Sequence, residues 1–162
     1  MNQEKTLLFV EEYEINRFTT LIRPVLYGEK VYSEVFELQD QFLVPLPPTV
    51  IVDKSCKYFG SSFQGRVTGT QQLTGYQRKV PIAIDPTFHI LFMPTSSPYN
   101  HDCTWLSHEH VLDYHREDSK STRVIFRNQS THIIPMSYSS FNTQLERTSH
   151  LRSKLMQRYD KW

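Results

Sequence analysis

Between residues 54 and 84 the chain carries Lys54, Lys57, Arg66, Arg78 and Lys79 and no Asp or Glu, and four of its five glycines (Gly60, Gly65, Gly69 and Gly75) fall in the same stretch. Uncompensated cations attract a polyanion, and glycine lets a backbone lie close to one. The chemistry implied is binding, of phosphate or nucleic acid, at a surface. Lys54 and Lys57 can also serve a helix end by complementing its dipole. Arg66 has no such local use: it stands between Gly65 and Gly69, in what reads as a Gly-rich loop after a short helix.

A second group of residues has metal chemistry in its side chains. Residues 101–115 read HDCTWLSHEHVLDYH, in which Cys103, His108, His110 and His115 offer thiolate and imidazole donors. On a strand, His108 and His110 would share a face. The paired CxxC or HExxH spacing that fixes a tetrahedral zinc site is missing. A zinc-dependent hydrolase built on Cys103, His108 and His110 is therefore the alternative to a binding protein. Nucleophilic catalysis has less support: Ser61 and Ser62 sit in no GxSxG elbow, and Cys56 falls on the apolar side of its helix. The Gly-rich stretch is not followed by Gly-Lys-Ser/Thr, so it is no Walker-type loop. The reading is of a non-enzyme that needs no cofactor.

The elements that must hold these side chains follow from periodicity and punctuation. A short helix is expected near 50–59: Pro47 and Pro48 precede Thr49 as N-cap, Val52, Cys56 and Phe59 recur at helical spacing, and Gly60 stands at the C-cap. A C-terminal amphipathic helix is expected near 141–159, with Thr143 and Glu146 as a capping box. Its apolar sector holds Phe141, Leu145, Leu151, Leu155 and Tyr159. Arg147, Lys154, Arg158 and Lys161 form a cationic stripe on the other side, while Arg152 projects into the apolar sector. The remainder reads as β. Residues 20–27 and 31–38 flank a three-residue connection, Gly28-Glu29-Lys30, and 42–46 is a further short run. Residues 70–79 and 81–84 read as extended, Asp85-Pro86 turns into 88–93, and 113–122 is a polar connection. Residues 123–127 and 131–136 form a hairpin across Asn128-Gln129. The fold class is α+β, a mainly antiparallel β core with these two helices, in a single domain over 1–162.

Two cysteines are too few for a disulfide framework, and the first twenty residues show no cationic region leading into an apolar run. No stretch is apolar enough to span a bilayer. A cytoplasmic protein with no membrane partner is expected. The net charge of +1 conceals blocks of −5, +5, −4 and +5 over residues 1–53, 54–84, 85–120 and 121–162. Near-neutral charge is compatible with nucleic-acid binding when positive blocks meet on one face.

From residue 51 onward the sequence resembles the ComK-type competence transcription factors of Gram-positive bacteria. The resemblance rests on DKSCKYFGSS at 53–62, Gly65-Arg66, Gly69-Thr70, Pro81-Ile82, Asp85-Pro86, residues 92–95 and CTWLSHEHV at 103–111. It continues through Val124, Phe126, SYSSF at 137–141 and LRSK at 151–154. It implies a cytoplasmic, nucleoid-associated activator of DNA-uptake genes and of its own promoter. Such a protein binds paired A/T-rich boxes in double-stranded DNA, largely through the minor groove, as a dimer or dimer of dimers, and bends them. It also implies control by a proteolytic adaptor. Family members usually continue into a C-terminal extension bearing an adaptor-recognition motif, whereas this chain stops at Trp162, a departure that bears on turnover and assembly. Arg66 is then the expected groove reader, because the narrow minor groove of A-tracts concentrates negative potential. Lys54, Lys57, Arg78 and Lys79 are expected on phosphates, with Arg147, Lys154, Arg158 and Arg152 as further candidates.

Overall fold

The computed structural model describes residues 7–87 and 89–161, so Phe88, in the expected run 88–93, lies outside the described residues. The chain is α+β. Strands β1 (Leu7–Phe9), β2 (Thr19–Tyr27), β3 (Lys30–Glu37), β4 (Gln41–Val44), β5 (Ile82–Asp85), β6 (Ile90–Pro94) and β7 (Trp105–Ser107) form one sheet. Its order is β1-β4-β3-β2-β7-β6-β5. Among the described residues only the β1–β4 pairing is parallel. Strands β8 (Val111–Arg116), β9 (Thr122–Phe126) and β10 (Thr131–Ile134) form a second, antiparallel sheet.

Every residue of β5, β6 and β7 is buried, without the alternation of a strand that has a wet face. Such strands must be covered on both sides. One face joins Ile22, Val35, Ile82, Ile84, Phe92 and Trp105 to the helices α1 (Pro48–Tyr58) and α2 (Phe63–Thr74), through Ile51, Val52, Cys56 and Phe63. The opposite face joins Leu21, Met93 and Leu106 to Val124, Phe126 and Ile134 of the small sheet and Phe141 of helix α3 (Tyr138–Tyr159).

Local sequence explains the boundaries. The β2–β3 hairpin closes on two residues, not three: Tyr27 pairs with Lys30, and Gly28 takes φ +63° at the first central position, where a type II′ turn needs glycine. Helix α1 starts one residue before Thr49, with Pro48 at its first turn and no side-chain cap. The Thr49 hydroxyl is engaged elsewhere, donating to the Pro98 carbonyl (2.7 Å) and accepting from Trp105 Nε1 (3.1 Å). At the other end Gly60 sits at φ +85°. Its N–H reaches the Lys57 carbonyl at 3.0 Å and the Ser61 N–H that of Cys56 at 2.9 Å, a Schellman closure.

Four further expectations are corrected. The Gly-rich stretch is not a loop, and residues 70–79 are not extended: α2 occupies 63–74. Ser62 Oγ caps it by accepting the Gly65 N–H (2.9 Å), Asp53 Oδ1 accepts the Phe63 N–H (3.0 Å), and Gly75 at φ +80° ends it. Caps and a docking contact outweigh two interior glycines. The polar segment 113–122 is strand as far as Arg116; β8 is an edge strand, and most of its side chains face water. Helix α3 begins at an Ser137 cap, so Thr143 and Glu146 lie inside it and form no capping box. Its buried stripe is Phe141, Gln144, Thr148 and Leu151, while Leu145 and Leu155 are half-buried and Tyr159 is exposed.

Candidate nucleic-acid interface

Lys54 and Lys57 lie on the exposed face of α1. Lys57 Nζ stands 3.0 Å from Asp53 Oδ2, and the other oxygen of that carboxylate receives the Phe63 N–H. Burial opposes the ionised carboxylate, but the Phe63 N–H and the Lys57 ammonium outweigh it and hold Asp53 below the usual carboxylate range. Asp53 therefore ties the start of α2 to α1. That junction carries Arg66 in the first turn of α2. Its Nε is buried without a hydrogen-bond partner among the described residues, and it takes part in no ion pair there. It lies near Cys56: burial pushes that thiol up to about 12, and the Arg66 charge works in the opposite direction. The buried Nε is out of reach of an outside partner, but the terminal nitrogens of this half-buried guanidinium make no hydrogen bond or ion pair among the described residues.

Arg78 and Lys79 sit on the loop between α2 and β5, and α3 clamps this loop. Lys79 adopts φ +51°, a conformation that costs a non-glycine residue roughly 1–3 kcal/mol and persists only where its surroundings impose it. Here they do. Gln144 Nε2 donates to the Lys79 carbonyl (2.9 Å) and Arg147 Nη2 to the Arg78 carbonyl (2.8 Å), with Nη1 bonding Gln144 Oε1 (3.0 Å). The Arg147 guanidinium lies 4.5 Å over the Tyr76 ring, and burial lowers its pKa. The side chains of Arg78 and Lys79 are left exposed. Arg147 thus holds the loop that presents two of the other expected cations.

Lys154 and Arg158 lie further along α3, where Arg158 is exposed and Lys154 half-buried. Arg152 is exposed, not buried in the apolar sector, and faces a separate hollow with His89, His108, Glu109, Arg127 and Ser149. Burial and then the Arg152 charge lower the His108 pKa. The structure therefore gathers Lys57 and Arg66 at the α1–α2 junction and Arg78, Lys79 and Arg147 at the loop before β5. It leaves Arg152 elsewhere.

The sulfur and imidazole donors are not brought together. His108 and His110 fall in the turn between β7 and β8 instead of on a strand. His108 Nε2 pairs with Ser149 Oγ (3.0 Å), His110 Nε2 with the Arg17 carbonyl (2.6 Å), and buried Cys103 points its sulfur at the Ser96 and Thr104 carbonyls. Among the described residues no group of three or more His, Cys, Asp or Glu is placed to hold a metal ion. The zinc-hydrolase alternative has no support in this geometry.

Comparison with known proteins decides between the readings. The family described as ComK protein matches residues 10–160. The chain belongs to the ComK family. A competence transcription factor of Bacillus subtilis (strain 168) is 39% identical over 157 residues, covering 97% of this chain and 82% of that protein. No solved structure matches. The family match takes in all nine basic residues singled out from the sequence. No helix of the described residues is long and apolar enough to cross a membrane.

Sequence reasoning missed the residues that position these cations. Gln144 and Tyr76 hold Arg147 and the loop, and Asp53 docks α2. One signal was available: a glutamine and a threonine, Gln144 and Thr148, stand at helical spacing between Phe141 and Leu151, where a purely apolar stripe would have neither.

Proposed function

We propose that this chain is a competence transcription factor that binds double-stranded DNA through the surface made by α1, α2 and the loop before β5. It acts by binding, not catalysis. The observation that carries the reading is the ComK family match together with the state of the cations inside it. Of the nine basic residues, Lys57 alone takes part in an ion pair among the described residues. Cations left unpaired on a folded surface are available to phosphates.

In this reading the sites are A/T-rich boxes, contacted largely through the minor groove and bent. An α-helix is about 10–12 Å across and the minor groove about 6 Å wide, so α2 does not enter it; Arg66 reaches in from the helix flank. Lys54, Lys57, Arg78 and Lys79 meet phosphates, and Lys154 and Arg158 are more distant phosphate contacts. The protein works as a dimer or dimer of dimers in the cytoplasm, associated with the nucleoid, as one folded unit, and a proteolytic adaptor is a partner.

Fluorescence anisotropy with an A/T-box duplex and a G·C-rich duplex over a salt series tests this. Tighter binding to the A/T-box duplex, competed by a minor-groove ligand, is expected; equal affinity for both duplexes would leave only a generic polyanion binder. Lys154→Ala should weaken both duplexes alike and reduce the salt slope by about 0.9, one phosphate contact.

A further inference from the structure

Beside the loop that carries Arg78 and Lys79 runs a groove of about 460 Å³ between α2 and residues 97–99. Phe63, Val67, Val80 and Pro98 make its apolar floor, Gln64 and Gln71 its α2 wall, and Arg78, Lys79 and Tyr99 its rim. Tyr99 is 77% exposed, the most exposed of the large hydrophobic side chains described. It is also held in place. The carbonyl of Pro98 takes the Thr49 hydroxyl at 2.7 Å, the Asn100 N–H closes a turn on Ser97 at 3.0 Å, and Thr49 is itself pinned by Trp105. The opposite rim is just as fixed, because Gln144 and Arg147 hold the Lys79 backbone in its left-handed conformation. An exposed ring on an anchored turn faces two exposed cations on a clamped, strained loop.

We propose that this groove seats one strand of duplex DNA, with Tyr99 packing its ring on a sugar or base edge while Arg78 and Lys79 meet the flanking phosphates. The inference rests on the DNA-binding reading above and adds to it an aromatic contact that no charge argument finds. The occupant is set by charge and shape. Two cations and no carboxylate line the groove, so an anionic partner fits. The apolar floor beside an exposed ring suits the apolar C–H surface of a deoxyribose, which a duplex leaves accessible along each strand, and a tyrosine there has an apolar body with a polar tip. Fixing the backbone of both rims before binding spares the cost of ordering two loops, although the exposed side chains themselves are ordered only on contact.

The test is anisotropy of the full chain on the A/T-box duplex over a salt series, with Tyr99→Ala, Tyr99→Phe and Lys79→Gln, each first shown by thermal unfolding to keep the wild-type melting temperature. Tyr99→Ala should weaken binding several-fold through lost apolar contact, with an unchanged salt slope because no charge is removed. Tyr99→Phe should bind like wild type. Lys79→Gln should weaken binding and reduce the slope by about 0.9. Tyr99→Ala within twofold of wild type, on a wild-type protein that binds the duplex, overturns the groove and leaves the DNA-binding reading standing. Failure of the wild type to bind any duplex removes both.

Discussion

Helices α2 and α3 each carry arginines expected to meet DNA, yet they use them differently. Helix α3, of 22 residues, buries Phe141, Gln144, Thr148 and Leu151 and turns Arg147 inward onto the Arg78 carbonyl and the Tyr76 ring. Helix α2, of 12 residues, buries only Phe63 and Thr70, carries two interior glycines and leaves the Nε of Arg66 unpaired. A basic residue on a helix face is thus two different objects. Arg147 is spent on the fold through its terminal nitrogens, whereas Arg66 makes no side-chain hydrogen bond among the described residues, a difference that charge counting does not find. On this view α3 is the scaffold and α2 the surface it supports.

The largest way to break that contrast is to cut the scaffold. Phe141 is fully buried against the small sheet, so Phe141→Ala should destabilise by about 3–5 kcal/mol in urea unfolding. A loss below about 1 kcal/mol would mean that α3 is not what the second face packs on.

The arginine pair sharpens the comparison next. Arg147→Ala removes a charge-assisted bond to the Arg78 carbonyl and the contact with Tyr76, and should cost about 1–3 kcal/mol of stability. Arg66→Ala removes no side-chain hydrogen bond or ion pair among the described residues and should leave the melting temperature unchanged. It should instead cost about 1–3 kcal/mol of binding to A/T-rich duplexes and much less to G·C-rich ones. If folded Arg66→Ala weakens both duplexes by the same factor, Arg66 is a phosphate contact and the groove reader is another residue.

Much of the scaffold was legible in the sequence, because it rests on local chemistry. Gly60 as a left-handed helix end, the hairpin around Asn128-Gln129 and the β2–β3 pairing all follow from residues close in the chain. Helix α2 was not legible. Its signals are a serine cap without the usual Glu or Gln three residues on, a glycine in that third position, and a docking carboxylate, Asp53, ten residues before the Phe63 N–H that it accepts. The basic composition of the stretch, by contrast, is read from residue types alone and does not depend on its conformation. Tyr99 carried no signal, since its meaning depends on the turn that pins it and on cations twenty residues away.

Asp53 offers a smaller test with a defined pH window. Its folded pKa lies below the unfolded value, so its contribution is fully present above about pH 4 and is lost as pH falls through the folded value. Asp53→Ala should cost about 1 kcal/mol at pH 7, the size of a helix cap, and should flatten the acid limb of the stability curve. An unchanged acid limb would show that α2 docks on α1 by packing alone.

The smallest expected effect bears most directly on what α2 is for. Gly69 is helical, and a Cβ built there meets nothing within 4 Å. Alanine is favoured over glycine in a helix interior by about 0.5–1 kcal/mol, so no packing inside the chain accounts for glycine at this position. Gly69→Ala should therefore raise the melting temperature by about 1–4 °C in a calorimetric scan. If the surface of α2 lies against the DNA backbone, the same methyl group stands between them, and the more stable protein should bind the A/T-box duplex several-fold more weakly. Stability and affinity moving in opposite directions would mark the glycine as kept for close approach. A rise in melting temperature with unchanged affinity would place Gly69 outside the interface and shift it toward Arg66 and the α1 lysines. A fall in melting temperature would mean that α2 is not helical through Gly69, and the contrast with α3 would have to be drawn from the Ser62 cap alone.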